Sequence, residues 1–169
     1  MRRPSIFLLV VALGLILDQV SKALANRAIG AGQSVPFIQD VLHFTHGRNT
    51  GVAFSLFDRH PGWILAFTCV AIAALVVWWW KSHETAPVTG LWALALIMVG
   101  AVGNLTDRLF LGYVRDFIDF RPEIPLIGHW AVFNVADICI CVGVGLYLLS
   151  EFRRKPEAAK TEAAKTSAE

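Results

Sequence analysis

Four apolar runs set the frame of the chain. The first covers Ser5–Leu17 and continues amphipathically past Asp18 to about Ala25. The second covers Trp63–Trp80 and the third Ala86–Thr106. The fourth is Trp130–Ser150, whose one charge is Asp137. A helix needs about 20 residues, at about 1.5 Å each, to cross a hydrocarbon core of about 30 Å. The pattern therefore predicts an all-α membrane protein with four transmembrane helices, at about 5–25, 62–80, 87–111 and 131–151. These form a single integral membrane domain over 1–152. Residues 153–169 hold two near-repeats, Glu157-Ala-Ala-Lys160 and Glu162-Ala-Ala-Lys165, and read as a mobile tail with helical tendency.

Arg2 and Arg3 before an apolar run have the look of a signal peptide. No small-residue cleavage site follows cleanly, however, and the run flows into Asp18 and Lys22 on one helical face, so a retained helix is expected. Basic residues near the helix ends set the orientation. Arg2 and Arg3, Lys81, and Arg153-Arg154-Lys155 fall on one side of a four-span layout. That side is expected to be cytoplasmic, with both termini there and 26–61 and 112–130 outside.

The outer segments are not simple connectors. Ser34–Ile38 and Val41–Thr45 read as strands, and Gly51–Ser55 could pair back through the turn-prone Gly47–Gly51. Ala23–Ala31 is expected as a short interfacial helix. The segment from about Gly112 to His129 reads as mostly irregular.

Composition narrows the class. Hydrophobic residues make up 56% of the 169 and charged residues 17%, against about 25% in soluble proteins. The net charge of +2 offers no basic surface for nucleic acid. Cys69, Cys139 and Cys141 have no metal-ligand spacing and read as buried small hydrophobes. His43, His46, His60, His83 and His129 all fall in loop segments.

Ionisable residues inside a membrane are costly and mark function. With helices 1 and 3 running outward and helix 4 inward, Asp18 and Lys22, then Asn104, Asp107 and Arg108, then Asn134 and Asp137 share one depth near the outer interface. Asp18 and Lys22 are i,i+4; Gly100, Asn104 and Arg108 form a stripe; Asn134 and Asp137 are i,i+3. Gly100 and Gly103 allow close helix approach. A polar pocket between helices is the simplest arrangement. Structural ion pairing accounts well for Asp18, Lys22, Asp107 and Arg108, and interhelical hydrogen bonding for Asn104 and Asn134. Asp116, Asp119 and Glu123 can each be read as solvated loop carboxylates. Asp137 has no cation one turn away and is the strongest functional candidate.

No GxSxG, HExxH or Cys–His arrangement is present. Carboxylates remain, with no metal or cofactor implied. Two close carboxylates share one proton, so one can activate water as a base while the other donates to a carbonyl oxygen. Rival readings are a metal-dependent lipid head-group transferase and a non-catalytic or proton-coupled transport or scaffold subunit. The first needs a clustered Asp motif, and the second usually shows an internal repeat.

Five stretches, in order, carry a resemblance: Asp18-Gln19-Val-Ser21-Lys22, Asn49-Thr50-Gly51-Val-Ala53-Phe54-Ser55, Gly100-Ala-Val-Gly103-Asn104-Leu-Thr-Asp107-Arg108, Gly112-Tyr-Val114-Arg-Asp116-Phe117, and Phe133-Asn134-Val-Ala136-Asp137. The chain resembles the bacterial lipoprotein signal peptidase (signal peptidase II) family of intramembrane aspartic proteases. The resemblance implies a catalytic pair of Asp116 and Asp137. It implies that Asp18, Lys22, Asn49, Gly51, Asn104, Asp107, Arg108 and Asn134 shape the site or bind substrate. It implies a periplasmic β-cradle beside the four helices, in the bacterial inner membrane, and cleavage of diacylglyceryl-modified prolipoproteins just before the lipidated cysteine. Membrane lipids and globomycin-type inhibitors are the implied partners, and a monomer the implied state. On this reading Gly47–Phe54 holds the substrate backbone. Two departures stand out: Arg115 occupies a position where the family usually has Val, and the segment between Asp116 and Asp137 is a few residues longer than is common.

Overall fold

The computed structural model describes residues 3–51, 61–121 and 130–166, with side chains to residue 153. Its elements run α1 (Arg3–Ala28), β1 (Ser34–Ile38), β2 (Leu42–Asn49), α2 (Pro61–Ser82), α3 (Val88–Leu111), β3 (Val114–Phe120) and α4 (Val135–Thr166). All four helices are long and apolar enough to cross a membrane. Charge-free sequence of that length leaves the backbone no better option in lipid than to satisfy itself as helix. The structure is a multi-pass bundle with a small antiparallel sheet at one end, as the apolar runs predict.

α3 is the central helix and buries Leu94, Val99, Gly100, Gly103 and Asn104 among others. Small residues let its neighbours come close, since packing rather than the hydrophobic effect drives helix association in lipid. A Cβ on Gly100 would run into the Ala136 carbonyl oxygen, and one on Gly143 would sit 2.8 Å from the Ala93 carbonyl oxygen. Backbone is the obstacle in both cases, so the α3–α4 seam has no slack. Gly100→Ala is expected to cost about 1–3 kcal/mol and lower the unfolding temperature in detergent. Gly145→Ala, with nothing within 4 Å of the added carbon, is the unaffected control.

α2 leaves Val70 and Trp80 more than two-thirds exposed, as a lipid-facing helix would. At its Ser82 end aromatic rings fasten it to the rest of the bundle. Trp79 stacks on Phe7 of α1 (5.1 Å between centroids), and Trp78 meets Tyr147 of α4 edge-on (4.9 Å).

The sheet has the order β1-β2-β3, antiparallel throughout. β1 and β2 match the strands expected at Ser34–Ile38 and Val41–Thr45. The third strand is β3, inside a segment read from sequence as irregular; in register, Gly47 faces Asp116 and Asn49 faces Val114. The expected return strand at Gly51–Ser55 lies outside the described residues beyond Gly51.

Two junctions hold β3 in place. α3 ends at Gly112, whose φ of 80° gives the left-handed cap that glycine adopts without strain, and its N–H donates to the Arg108 carbonyl (3.1 Å). Two residues later, at Val114, the chain is strand. On the far side, Phe133 exchanges backbone hydrogen bonds with Ile118 (2.8 and 2.9 Å) and accepts one from Phe117 (3.0 Å). Phe133 immediately precedes Asn134 and α4.

Two expectations are corrected. Ala23–Ala31 is not a separate interfacial helix: α1 runs unbroken to Ala28, because no Gly or Pro interrupts it after Gly14. α4 itself continues to Thr166, through the repeats rich in the helix formers Ala, Glu and Lys that read from sequence as a tail with helical tendency. The cysteines are not uniformly buried, since Cys69 and Cys141 are exposed and Cys139 is half-buried.

Candidate active site

Polar side chains from α1, α3, α4, β2 and β3 converge at the sheet end of the bundle. Asn134 is their hub. It caps α4, its Oδ1 accepting from the Asp137 N–H (3.1 Å) while its own N–H donates to Asp137 Oδ2 (3.1 Å). This reciprocal capping box satisfies two otherwise orphaned donors at the helix start and fixes the Asp137 carboxylate. The Asn134 Nδ2 then donates to Asp116 Oδ1 (2.6 Å) and to Asn104 Oδ1 (3.2 Å). One residue thus touches both carboxylates, Asp116 through its side chain and Asp137 through its backbone N–H.

Each carboxylate receives two donors. Asp116 takes Asn134 and Asn49 Nδ2 (3.0 Å); Asp137 takes the Asn134 N–H and Asn104 Nδ2 (2.8 Å). The amides are held to these roles by donors on their oxygens. The Gly51 N–H donates to Asn49 Oδ1 (3.0 Å), and Lys22 Nζ donates to Asn104 Oδ1 (2.9 Å). With their oxygens engaged, the NH2 groups face the carboxylates.

A layer of charges lies behind the amides. Asp18 and Lys22 are fully buried and 3.0 Å apart, and Lys22 is 3.6 Å from the buried Asp107. Asp18 Oδ1 also accepts from the Ala136 N–H (2.9 Å), so a carboxylate of α1 sits on the positive end of α4. Arg108 donates to the Gly51 carbonyl (2.6 Å), and its buried Nε has no partner among the described residues.

Burial, above all, lifts the Asp116 carboxyl to about 6. The Asn49 bond opposes that rise, the charge of Asp137 adds to it, and Asn134 and Lys22 pull it back down. Asp116 therefore holds its proton to a higher pH than a free aspartate.

Asp116, Asp137, Asn49, Asn104 and Arg108 lie on one wall of a groove of about 920 Å3 between α2, α3 and α4. Apart from Thr68 the rest of the lining is apolar, and it includes Trp63 and Phe67 of α2. Among the described residues, no three His, Cys, Asp or Glu side chains come together as a metal-binding group.

A family model described as Signal peptidase (SPase) II matches residues 10–153. The chain belongs to the signal peptidase II family. The lipoprotein signal peptidase of Geobacter metallireducens is 39% identical over 158 residues, covering 92% of this chain and 95% of the relative. That of Geobacter sulfurreducens is 41% identical over 157 residues, covering 89% and 95%. A solved bacterial membrane enzyme, determined by the in meso method at 2.3 Å, superposes with a TM-score of 0.79 at 27% identity over 89% of this chain and 90% of that one. Signal peptidase II is a protease family of aspartic type that removes signal peptides from prolipoproteins.

Every site residue expected from the sequence of this signal peptidase II member joins the one hydrogen-bonded network: Asp18, Lys22, Asn49, Gly51, Asn104, Asp107, Arg108, Asp116, Asn134 and Asp137. Asp119 is not a solvated loop carboxylate. It is buried in β3, where it accepts from Thr45 Oγ1 (2.6 Å) and Arg121 Nε (2.9 Å). Glu123 lies outside the described residues. Two members of the network were not among the expected site residues, although Arg115 stood out as a departure from the family. Gln19 bridges Asp18 and Asp107, and its place beside Asp18 in the first motif was the available signal. Arg115 bonds Asp107, a partnership visible only once β3 is known to fold back on the end of α3.

Proposed function

We propose that this signal peptidase II member cleaves diacylglyceryl-modified prolipoproteins just before the lipidated cysteine, with Asp116 and Asp137 as the catalytic pair. The observation that carries the reading is Asn134, which donates to both carboxylates on the wall of an apolar groove. The pair shares one proton. The ionised carboxylate takes a proton from water as its oxygen attacks the scissile carbonyl carbon. The protonated one donates to the carbonyl oxygen. Collapse of the tetrahedral intermediate breaks the C–N bond, and the leaving amine takes the proton gathered from water.

Asn49, Asn104 and Asn134 hold the carboxylates in place. Asp18, Lys22 and Asp107 hold those amides and the start of α4. Arg108 and Gly51 join the first outer segment to α3, and the described part of Gly47–Phe54 lies beside the pair through Asn49. Acyl chains and the apolar signal sequence suit the groove lining. The basic clusters favour cytoplasmic termini and a site at the periplasmic face of the inner membrane. The chain acts as a monomer and binds globomycin-type inhibitors at this groove.

The test is incubation of the purified protein, in detergent with lipid and chelator, with a diacylglyceryl-modified prolipoprotein. Release of the signal peptide is expected; its absence with verified substrate and fold overturns the proposal. The pH profile of kcat/KM is expected to be bell-shaped. Activity rises as one carboxylate ionises and falls as the shared proton is lost, with the upper limb at about 6, the Asp116 value. A flat profile would contradict proton sharing.

A further inference from the structure

The buried charges beside the carboxylate pair balance only when Arg115 is counted. Asp18 and Asp107 are buried with a single ammonium, Lys22, between them. Arg115 supplies the second cation. Its Nη2 donates to Asp107 Oδ1 (2.6 Å), and its Nε and backbone N–H both donate to Asp107 Oδ2 (3.1 and 2.9 Å). A fork of this kind is the strong geometry for a guanidinium on a carboxylate. The same Nη2 donates to Gln19 Oε1 (2.8 Å), which turns the Gln19 NH2 toward Asp18 Oδ2 (3.0 Å) and Asp107 Oδ1 (3.3 Å). Lys22 lies 3.0 Å from Asp18 and 2.9 Å from Asn104 Oδ1, closer than its 3.6 Å to Asp107.

We infer that Arg115 is a positioning residue for the reaction: by neutralising Asp107 it leaves Lys22 committed to Asp18 and Asn104, and so keeps the Asn104 amide aimed at Asp137. This rests on the proposed role of Asp137. Arg115 itself contacts neither carboxylate of the pair through any of these bonds. Without it, one ammonium faces two buried carboxylates, and Asp107, stripped of its fork, draws Lys22 away from Asn104. The Asn104 oxygen then loses the shorter and charged of its two donors and keeps only the Asn134 amide at 3.2 Å, so its sense is less firmly fixed. Once turned over, it sets an oxygen against Asp137.

The experiment is steady-state cleavage of a diacylglyceryl-modified prolipoprotein by purified variants. Arg115→Met keeps the length and the apolar stem and removes the charge. It is expected to lower kcat about tenfold or more with KM within about twofold, the signature of an interaction expressed in the transition state. Arg115→Met with Asp107→Asn restores charge balance and is expected to recover most of the lost kcat. Arg115→Lys keeps the cation without the fork and is expected to stay within about threefold of wild type, which also provides a reading if Arg115→Met folds poorly. A wild-type kcat for Arg115→Met, a loss that Asp107→Asn does not relieve, or a Lys variant as impaired as the Met one overturns the inference. Asp137→Asn is assayed alongside. If it cleaves normally, the proposed pair fails, a result independent of Arg115.

Discussion

Asp137→Asn and Asp116→Asn are each expected to lower prolipoprotein cleavage by about 10^3-fold or more while leaving the bundle folded. Asparagine has the shape of aspartate but neither accepts a proton from water nor donates a carboxylic one, so either change breaks the shared-proton cycle. Folding tolerates the change because each side chain accepts two hydrogen bonds and the amide oxygen can keep one. Losing the other costs about 1 kcal/mol. For Asp116 a second effect offsets this. Burial lifts its carboxyl to about 6 in the folded protein against an ordinary 3.8, so the folded state binds the proton more tightly. Wild-type stability therefore falls as pH rises from about 4 to about 6, and Asp116→Asn lacks that fall. Unfolding temperatures of the two proteins, compared across that window, check the sign: the gap must move in favour of the variant as pH rises. Signal-peptide release measured on the same samples separates catalysis from folding. Full cleavage by either variant would remove that residue from the pair.

Lys22→Met is expected to destabilise the protein by about 3–5 kcal/mol, the largest stability effect of any single change in the network. The ammonium is fully buried, 3.0 Å from Asp18 and 3.6 Å from Asp107. Removing it leaves the buried Asp18 carboxylate without its ammonium, since Arg115 bonds only Asp107 of the two carboxylates. Activity should fall with it, because the Asn104 amide loses its orienting contact. The measurement is the unfolding temperature in detergent of Lys22→Met and of Lys22→Met with Asp18→Asn. The double variant, with one buried charge of each sign left, should regain much of the loss. If the single variant melts within a degree or two of wild type, the buried-charge account is wrong.

Much of this arrangement was legible in the sequence, for identifiable reasons. Long charge-free runs have one good solution in lipid, so the helices could be read directly. The common depth of Asp18, Asn104, Asp107, Asn134 and Asp137 then followed from helix direction and a fixed rise per residue. Spacing also paired Asp18 with Lys22 and Asn134 with Asp137, both realised as local contacts. What spacing could not reach depends on strand pairing. Arg115, Asp116 and Asp119 make Val114–Phe120 look like a polar loop, and its burial comes from β2 and α1 packing over it. Asn49 and the choice of Asp116 over other loop carboxylates came from resemblance, since no periodicity links residues so far apart in the chain. The cysteines were misjudged because a bundle of four helices leaves each one a broad face toward lipid.

The attachment of α2 bears on how a membrane-bound chain would reach the proposed catalytic carboxylates. Its rings are fastened to α1 and α4 at the Ser82 end, whereas at the opposite end Trp63 and Phe67 border open space. Phe133 ties the strand of Asp116 to the first turn of α4, which carries Asp137, so the proposed catalytic pair is braced without α2. Among the described residues the molecule is thus built like a clothes-peg, sprung where the rings meet, with the proposed cutting edge mounted on the jaw that faces α2.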